Sequence, residues 1–478
     1  MPVPPAAPAA APPHPRTPRN RPPRRATGLF RAFWRWHFYA SFLVIPVLLV
    51  LAVTGLVYLF RFQLEPLLHA DLMKVEQPAE VDVVQPYATQ QRAVESVFPD
   101  AAVVSMTEPL EAGRSTVFSV LLPDGEGRDV YVDPWHATVL GSLDPDRTLS
   151  GAAVLLHGEL MAGTAGDYLI ELAACWAIVM ALTGYYLVVR GRSARLRRRA
   201  AGATGAALRH RHATVGSLVG VGLLFLLVSG LPWTGFWGEK AQSLATAGGS
   251  SLWSQDPGAL SDPTSTLDES LPHSHGHEVP WALGDSDVPR SKGTGERSVA
   301  TVDTAVAVAD AEGLRHPLTV ALPHADDGVF SVIGYAFDDP TAERTVHVDR
   351  FGGDVVSSYG YDEYPTLAKV VAQGIGLHEG RSLGPVNFWG TAAFCVGVVV
   401  MCVTGPLMWW RRRPARAGSV GAPRGRMPLR AAPALALGVL VLGLVLPLFG
   451  LSLLLVLLLD RLVIRRVPRL AGWFDSAG

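Results

Sequence analysis

Apolar residues are concentrated in four long runs, which are separated by polar stretches rich in turn residues. An α-helix rises about 1.5 Å per residue, so roughly 20 apolar residues are enough to cross a hydrocarbon core of about 30 Å. Each run reaches that length and therefore predicts a transmembrane helix. The predicted spans are residues 36–61, 166–190, 212–237 and 386–410.

Two kinds of run alternate along the chain, and each kind occurs twice. In the first kind eighteen residues separate a histidine from a glycine; the pairs are His37 with Gly55 and His212 with Gly230. In the second kind the separation is twenty-seven residues; the pairs are His157 with Gly184 and His378 with Gly405. Agreement at this many positions predicts two tandem halves with the same architecture.

Two polar stretches, 62–150 and 301–360, contain the same order of patterns. Each begins with an amphipathic helical pattern and continues with four short strand-like runs bounded by Pro, Gly and Asp. We therefore expect one small α+β extracytoplasmic domain in each half. The stretch 240–300 is rich in Ser, Gly, Asp and Pro and predicts a flexible extracytoplasmic insertion.

The last apolar stretch, 431–463, is interrupted by Pro447 and Gly450. It is long enough for one tilted crossing, whereas the arginines from Arg461 onward favour a short hairpin that returns them to the side of the other arginine clusters. Both arrangements remain open. The expected fold class is a polytopic α-helical membrane protein with two tandem halves, each a helix, an α+β domain and a helix, followed by a C-terminal apolar helical segment.

The net charge of −1 conceals a strong segregation of charge. Arginine-rich segments at residues 1–28, 191–211 and 411–430 flank the spans, and the positive-inside rule places them in the cytoplasm. Residues 1–28 are expected to form a disordered basic tail. The expected location is the bacterial cytoplasmic (inner) membrane, with multiple passes and a cytoplasmic N-terminus. Because the arginines flank spans, the lipid bilayer is the expected partner, and nucleic acid is not.

Motifs that are missing from the sequence narrow the chemistry. The three cysteines lie within spans and form no CxxC or CxxCH motif, so neither a disulfide framework nor a covalent c-type haem is expected. No G-x-G-x-x-G at a strand–helix junction and no P-loop is visible. A redox function would therefore need another protein, a quinone or a soluble reductant as its electron donor.

These residues resemble the PepSY-associated transmembrane family. The resemblance rests on the WRWHFYA opening at Trp34–Ala40, on the Thr-Gly pairs near three helix ends, and on the VYVDP strand and turn at 130–134. It implies PepSY modules outside the membrane and a link to iron uptake, since some members are similar to inner-membrane ferric-siderophore reductases with b-type haems between their helices. The chain departs from the family pattern at Ser229, at Arg350 and in the 240–300 insertion.

The four repeated histidines are the candidate chemical site. Haem iron takes neutral imidazole as an axial ligand, and two histidines on facing helices form a site suited to electron transfer. If the halves are related by an axis along the membrane normal, His37 meets His212 at the cytoplasmic end and His157 meets His378 at the outer end. The pattern thus predicts two b-type haems. The other explanation is that these histidines are polar residues at helix ends.

The four repeated glycines are predicted to contact the cofactor. Eighteen residues correspond to five helical turns, so Gly55 lies on the same helix face as His37. A residue without a side chain would let a flat macrocycle approach the backbone. The glycines concerned are Gly55, Gly184, Gly230 and Gly405. Small-residue contacts between helices explain them equally well, and better when the glycines are considered alone.

The function expected from these residues and the resemblance is that of a membrane dihaem b-type oxidoreductase. It would pass electrons across the membrane to an extracytoplasmic ferric complex, such as a ferric siderophore, for iron acquisition. No catalytic residue is assigned. Two alternatives remain open: a non-enzymatic PepSY membrane protein that binds peptides or senses a ligand, and a metal-transport accessory protein that uses His273, His275 and His277.

Overall fold

The computed structural model describes residues 28–80, 83–259, 265–267, 284–292, 300–412, 420 and 433–474. The predicted basic tail, the histidines at 273–277 and most of the predicted 411–430 loop lie outside the described residues.

The described residues of the first half form six α-helices and four strands. The helices are α1 (Gly28–Leu59), α2 (Arg61–Leu68), α3 (Ala70–Met73), α4 (Tyr87–Val97), α5 (Leu149–Glu159) and α6 (Gly163–Ala200). The strands are β1 (Ala102–Thr107), β2 (Thr116–Leu121), β3 (Gly127–Asp133) and β4 (Thr138–Leu143).

The described residues of the second half repeat the order of α1, α4, the four strands, α5 and α6, with α8 and a short β-ribbon between the first two elements. The helices are α7 (Ala206–Gly230), α8 (Gly235–Ala247), α9 (Val302–Ala311), α10 (Thr366–His378) and α11 (Gly384–Arg412). The strands are β5 (Ser265–Thr266), β6 (Asp287–Val288), β7 (Thr319–Ala321), β8 (Val329–Ile333), β9 (Arg344–Asp349) and β10 (Val355–Gly360). The C-terminal segment contains α12 (Pro433–Val445), α13 (Pro447–Leu459) and α14 (Pro468–Trp473).

The long helices α1, α6, α7 and α11 form a closed four-helix bundle. Helix α1 packs against α6 and α11, and α7 packs against the same two neighbours, so the equivalent helices α1 and α7 are diagonally opposite. Apolar side chains such as Val44, Leu48 and Ile178 fill the interior. Each of the four helices is long and apolar enough to cross a membrane. We call the end that carries Arg35 and Arg190 the arginine face and the opposite end the domain face.

Three of the four bundle helices are longer than the predicted spans, whereas α7 begins six residues before its predicted span and ends seven residues before the predicted end, at Gly230. Helix α6 continues to Ala200, ten residues beyond the predicted end, and α1 starts at Gly28, eight residues before the predicted start. Arginine has a high helix propensity, so the positive charges that mark the membrane boundary do not end the helix.

The strands of both halves join into one antiparallel sheet, whereas the sequence predicted a separate domain in each half. Its strand order is β10-β9-β8-β7-β1-β2-β3-β4, and β1 pairs with β7 through Met106 and Val320. Without that pairing β1 and β7 would each be an edge strand with unpaired backbone groups, which favours joining them. Helices α4 and α9 share one core with the sheet, which includes Val94 and Ala305.

Some described parts of the 240–300 insertion are packed, whereas its start in α8 is largely exposed. Leu252, Trp253 and Asp256 are buried, and Leu267 belongs to a core with Tyr359 of β10. The composition suggested disorder because it is polar, but these few apolar side chains cover the second-half sheet.

The C-terminal segment doubles back on itself. A Cβ on Gly450 of α13 would lie 2.6 Å from the carbonyl oxygen of Gly443 in α12, so the two helices touch backbone to backbone. The Trp176 indole of α6 donates a hydrogen bond to Ser452 at 3.0 Å and thereby holds the hairpin against the bundle. The last described residue, Phe474, lies beside α1, since the Tyr39 hydroxyl donates to its carbonyl at 2.8 Å.

Candidate functional site

His37 lies on α1 near the arginine face and points at α6. Its Nδ1 donates a hydrogen bond to the carbonyl oxygen of Met180 at 2.9 Å. A Cβ placed on Gly184 would lie only 3.0 Å from Cε1 of His37, so the imidazole rests against bare backbone. The hydroxyl of Thr183 is engaged by its own helix, donating to the Val179 carbonyl at 2.8 Å.

His157 occupies the corresponding position near the domain face. It lies on the short helix α5 rather than on the spanning helix α6, and its Nδ1 is 3.0 Å from the Thr54 hydroxyl of α1. That hydroxyl donates to the Val50 carbonyl at 2.8 Å. A Cβ on Gly55 would lie 3.5 Å from Cε1 of His157. One Thr-Gly pair thus holds one imidazole.

His212 in the second half is held as His157 is. Its Nδ1 lies 2.9 Å from the Thr404 hydroxyl, which donates to the Val400 carbonyl at 2.8 Å. Gly405 again stands beside the ring, at 4.0 Å from a built Cβ to Cε1.

His378, at the end of α10, is held by the serine that departs from the family pattern. Its Nδ1 is 2.9 Å from the Ser229 hydroxyl, which donates to the Phe225 carbonyl at 2.8 Å. A Cβ on Gly230 would lie 3.4 Å from Cε1 of His378. Serine therefore makes the same contact as threonine, and the departure leaves the chemistry unchanged.

These contacts determine which ring nitrogen carries the proton. A backbone carbonyl can only accept, and each hydroxyl uses its hydrogen on the carbonyl four residues back, so in all four cases Nδ1 donates. A neutral ring protonated at Nδ1 has its lone pair at Nε2. A hydrogen bond from the second ring nitrogen is also how metal-bound histidines are commonly oriented. The site therefore provides four fixed Nε2 atoms.

The two histidines near the domain face approach each other from different halves. The ring centres of His157 and His378 are 6.5 Å apart, and the ring planes are nearly perpendicular at 85°. Burial lowers the pKa of His157 to about 4 and that of His378 to about 3, so both rings are neutral at pH 7. At the arginine face His37 is an electrostatic neighbour of His212.

Each glycine contacts a histidine that belongs to the same half of the chain but lies on a different helix. The spacing of residues along one helix did not predict these contacts. Gly55 contacts His157 and Gly184 contacts His37, although the repeat paired Gly55 with His37 in the sequence. In all four cases an imidazole ring is a protein group that contacts the glycine. Contact between these glycines and a cofactor stays a prediction.

Two residues that the sequence did not single out position the helices that carry His157 and His378. The buried Glu65 of α2 accepts hydrogen bonds from the backbone and hydroxyl of Ser150 at 2.6 and 2.7 Å, at the start of α5. Arg381 follows α10, donates to the Phe337 carbonyl at 2.9 Å and pairs with Glu379. Only Arg381 lies in a repeated segment, so Glu65 left no signal in the sequence.

Among the described residues no cluster of three or more His, Cys, Asp or Glu side chains could hold a metal ion, and the histidines come together in pairs. Glu171, one of two acidic residues inside α6, accepts from the Trp237 backbone at 3.0 Å and so contacts the start of α8. It has a structural role at the edge of the bundle.

The PepSY-associated transmembrane region, as a family model, matches residues 34–412, most of the chain. The match covers both halves and all four histidines. A comparison with curated proteins gave no match. The four apolar bundle helices fit a transmembrane family, and the sheet with α4 and α9 fits an α+β PepSY module. The chain is therefore a multi-pass membrane protein that belongs to the PepSY-associated transmembrane family.

Proposed function

We propose that this protein is a membrane oxidoreductase that holds two b-type haems and passes electrons across the bilayer to a ferric complex outside. The observation that carries the proposal is the pair of histidines near the domain face, with ring centres 6.5 Å apart at 85°. Two imidazoles bound through Nε2 to opposite sides of one metal atom at about 2 Å would have ring centres roughly 6 Å apart. The residues present therefore fit an iron porphyrin.

His157 and His378 would hold the group near the domain face, and His37 and His212 would hold a second one near the arginine face. A b-type haem supplies a one-electron carrier when bound. The hydroxyl or carbonyl behind each Nδ1 fixes the direction of its ring. At Gly184 the absence of a side chain also leaves room for the ring, because a Cβ there would lie 3.0 Å from Cε1 of His37. Rigid ligands of this kind limit reorganisation when the charge on a metal changes.

The two pairs are separated along the membrane normal. On α1, Gly55 follows His37 by eighteen positions, which corresponds to about 27 Å of helix, and Gly55 is the residue that contacts His157. This separation is close to the thickness of a hydrocarbon core of about 30 Å, so one pair would serve each side. The sheet covers the domain face, where a ferric complex would be reduced.

An alternative function, binding of a peptide or sensing of a ligand by the sheet domain, has one observation in its favour. A groove of about 360 Å³ lies between α4 and α9 above the sheet, with Val103 and Phe330 in its floor and Arg92 at its rim. The groove lies on the sheet and does not explain the four held histidines, so we rank this function second.

A difference spectrum of the purified full-length protein tests the proposal. Reduced minus oxidised spectra should show a split b-type α band, and oxidation of the reduced protein by ferric citrate should abolish it. A flat spectrum in protein purified from haem-supplemented cells would exclude the oxidoreductase and favour the ligand-binding alternative.

Substitution His157→Ala should reduce the haem content by about half, because the pair near the arginine face keeps both of its ligands. The measurement is haem per polypeptide by the pyridine haemochrome assay. The control His136→Ala removes an exposed histidine of the sheet domain and should retain the full content. Unchanged haem in His157→Ala would show that the pairing is wrong.

A further inference from the structure

The end of α6 and the start of α7 present eight arginines between residues 190 and 211 without one acidic residue. We refer to residues 190–211 as the arginine hairpin. Exposed side chains include those of Arg190, Arg192, Arg197, Arg198 and Arg199. In the part of the chain that the structure describes, no carboxylate forms an ion pair with any of these arginines.

The arginine hairpin is ordered. Helix α6 runs without a break to Ala200, and the turn to α7 is closed by a hydrogen bond of 3.0 Å from the Ala203 amide to the Arg198 carbonyl. Gly202 and Gly205 have φ angles of 62° and 70°, a left-handed conformation that glycine adopts without steric cost. The backbone that carries these arginines is therefore regular helix closed by a hydrogen-bonded turn.

Like charges are concentrated on this face. Arg195 and Arg199 both act electrostatically on His210, and Arg209 acts on Arg412 of α11. Adjacent charges of one sign repel each other and create a field that attracts anions. An anionic partner would relieve this repulsion.

The position of each arginine along α6 indicates whether its anionic partner is a lipid phosphate or a soluble molecule. Arg190 lies six residues beyond Gly184, the residue that contacts His37, or about 9 Å along the helix, whereas Arg199 lies fifteen residues beyond it, or about 22 Å. A headgroup layer is only about 5–8 Å thick on each side of the hydrocarbon core. If the hydrocarbon core ends at residue 190, the predicted end of the span, Arg190 and Arg192 lie at the level of the lipid phosphates. Residues 197–199 then lie about 10–14 Å further along the helix, past the headgroup layer.

We propose that Arg197, Arg198 and Arg199 form the docking surface for an acidic soluble protein that donates electrons to the His37 and His212 end of the bundle. The inference rests on the proposed function. The sequence holds no nucleotide motif that would supply electrons from within the chain. Complementary charge steers such a partner and raises its association rate, and the contact is sensitive to salt.

The test uses flavodoxin, an acidic one-electron carrier, and the full chain in nanodiscs of phosphatidylcholine. Binding of oxidised flavodoxin is measured by fluorescence titration at low salt. The variant R197Q/R198Q/R199Q should bind about tenfold more weakly than the wild type, and high salt should cause a similar loss in the wild type. The matched control R461Q/R466Q/R469Q removes three exposed arginines from the C-terminal segment and should bind within about twofold of the wild type.

Equal binding by the wild type and R197Q/R198Q/R199Q, or an equal loss in the control, would overturn the proposal. Loss of flavodoxin binding by the wild type in nanodiscs that contain phosphatidylglycerol would also overturn it and assign these arginines to lipid. Binding of an RNA duplex in preference to flavodoxin would likewise overturn the proposal and assign these arginines to nucleic acid. The titration does not require haem, so failure of the proposed function would be seen separately, in the absorption spectrum.

Discussion

At the scale of single residues, the Thr-Gly and Ser-Gly pairs position an imidazole: the glycine lies against the ring, and at three of the four histidines the hydroxyl accepts a hydrogen bond from Nδ1. The hydroxyl of Thr54 donates to its own helix and is left to accept from His157, and Ser229 does the same for His378. The sequence was sufficient to recognise which histidines and glycines recur. It could not show which of them touch, because that depends on how two antiparallel helices pass each other and not on the spacing along either one.

Removal of one hydroxyl should weaken the site near the domain face. In Thr54→Ala the Nδ1 of His157 loses its acceptor, and loss of such a partner costs about 10–100-fold in metal affinity. The measurement is haem titration of the apoprotein. Thr54→Ser is the matched control and should bind as the wild type does, since Ser229 makes this contact naturally; equal affinity in Thr54→Ala would refute the role of the hydroxyl.

The two glycines near the arginine face should differ in their tolerance of a methyl group. In Gly184→Ala the new Cβ would lie 3.0 Å from His37 and displace its ring, whereas in Gly405→Ala it would lie 4.0 Å from His212 and 3.4 Å from Ile45. We expect a clear loss of haem, up to about half, in the first variant and a much smaller loss in the second. Equal haem contents would show that the glycines do not set the ring positions.

At the scale of helices and strands, local patterns predicted most elements and missed the contacts between them. The strand-like runs agree with β1 to β4 and β7 to β10, and the apolar runs agree with the bundle helices, because both depend on local periodicity. The joining of β1 to β7 and the packing of Leu267 on the sheet are long-range contacts, which no local pattern encodes. His157 and His378 lie on the short helices α5 and α10, which are separate from the spanning helices that follow them, and the sequence pattern did not predict this separation.

The contact between the two halves should depend on pH through His316. Its ring bridges Glu108, which follows β1, and Asp310 of α9. Burial alone would lower the pKa of His316, but the hydrogen bonds and charges of Glu108 and Asp310 outweigh it, so the pKa is raised above 6.5. The raised value means that the stabilisation is complete below the unfolded pKa of about 6.5 and is lost as the pH rises through the folded pKa.

Thermal unfolding in detergent at pH 5.5 and pH 8.5 measures this effect. The ring is half exposed, so we expect less than about 1 kcal/mol, visible as a small upward shift of the melting temperature at the lower pH. His316→Gln keeps a polar side chain of similar size that does not titrate, and it should remove the part of the pH dependence that His316 contributes. An unchanged dependence in this variant would assign the effect to other groups.

At the scale of the whole molecule, both ends of the described chain lie at the arginine face. Arg35 and Tyr39 of α1 donate hydrogen bonds to the carbonyl of Phe474, and the sheet lies at the other end of the bundle. The hairpin of α12 and α13 is what returns the chain to that face. The orientation in the membrane follows from the arginines and is a prediction of the positive-inside rule.

Reporter fusions in a bacterial host check this topology. Green fluorescent protein fused to the C-terminus should fluoresce, because the arginine face is expected in the cytoplasm, and alkaline phosphatase fused after Leu143 should be active outside. The reverse pair of results would invert the membrane orientation and with it the direction proposed for electron transfer.

The strand order of the sheet reads the same from either edge once equivalent strands are matched, with β1 and β7 at the centre. An antiparallel pair of equivalent strands is what a two-fold axis produces. A polypeptide of half this length could therefore complete the same sheet, and bring its own histidines into the same two couples, by dimerising with an identical copy. The covalent link at residues 201–205 frees each copy to diverge, and Ser229 in place of threonine is one residue where that divergence is already visible.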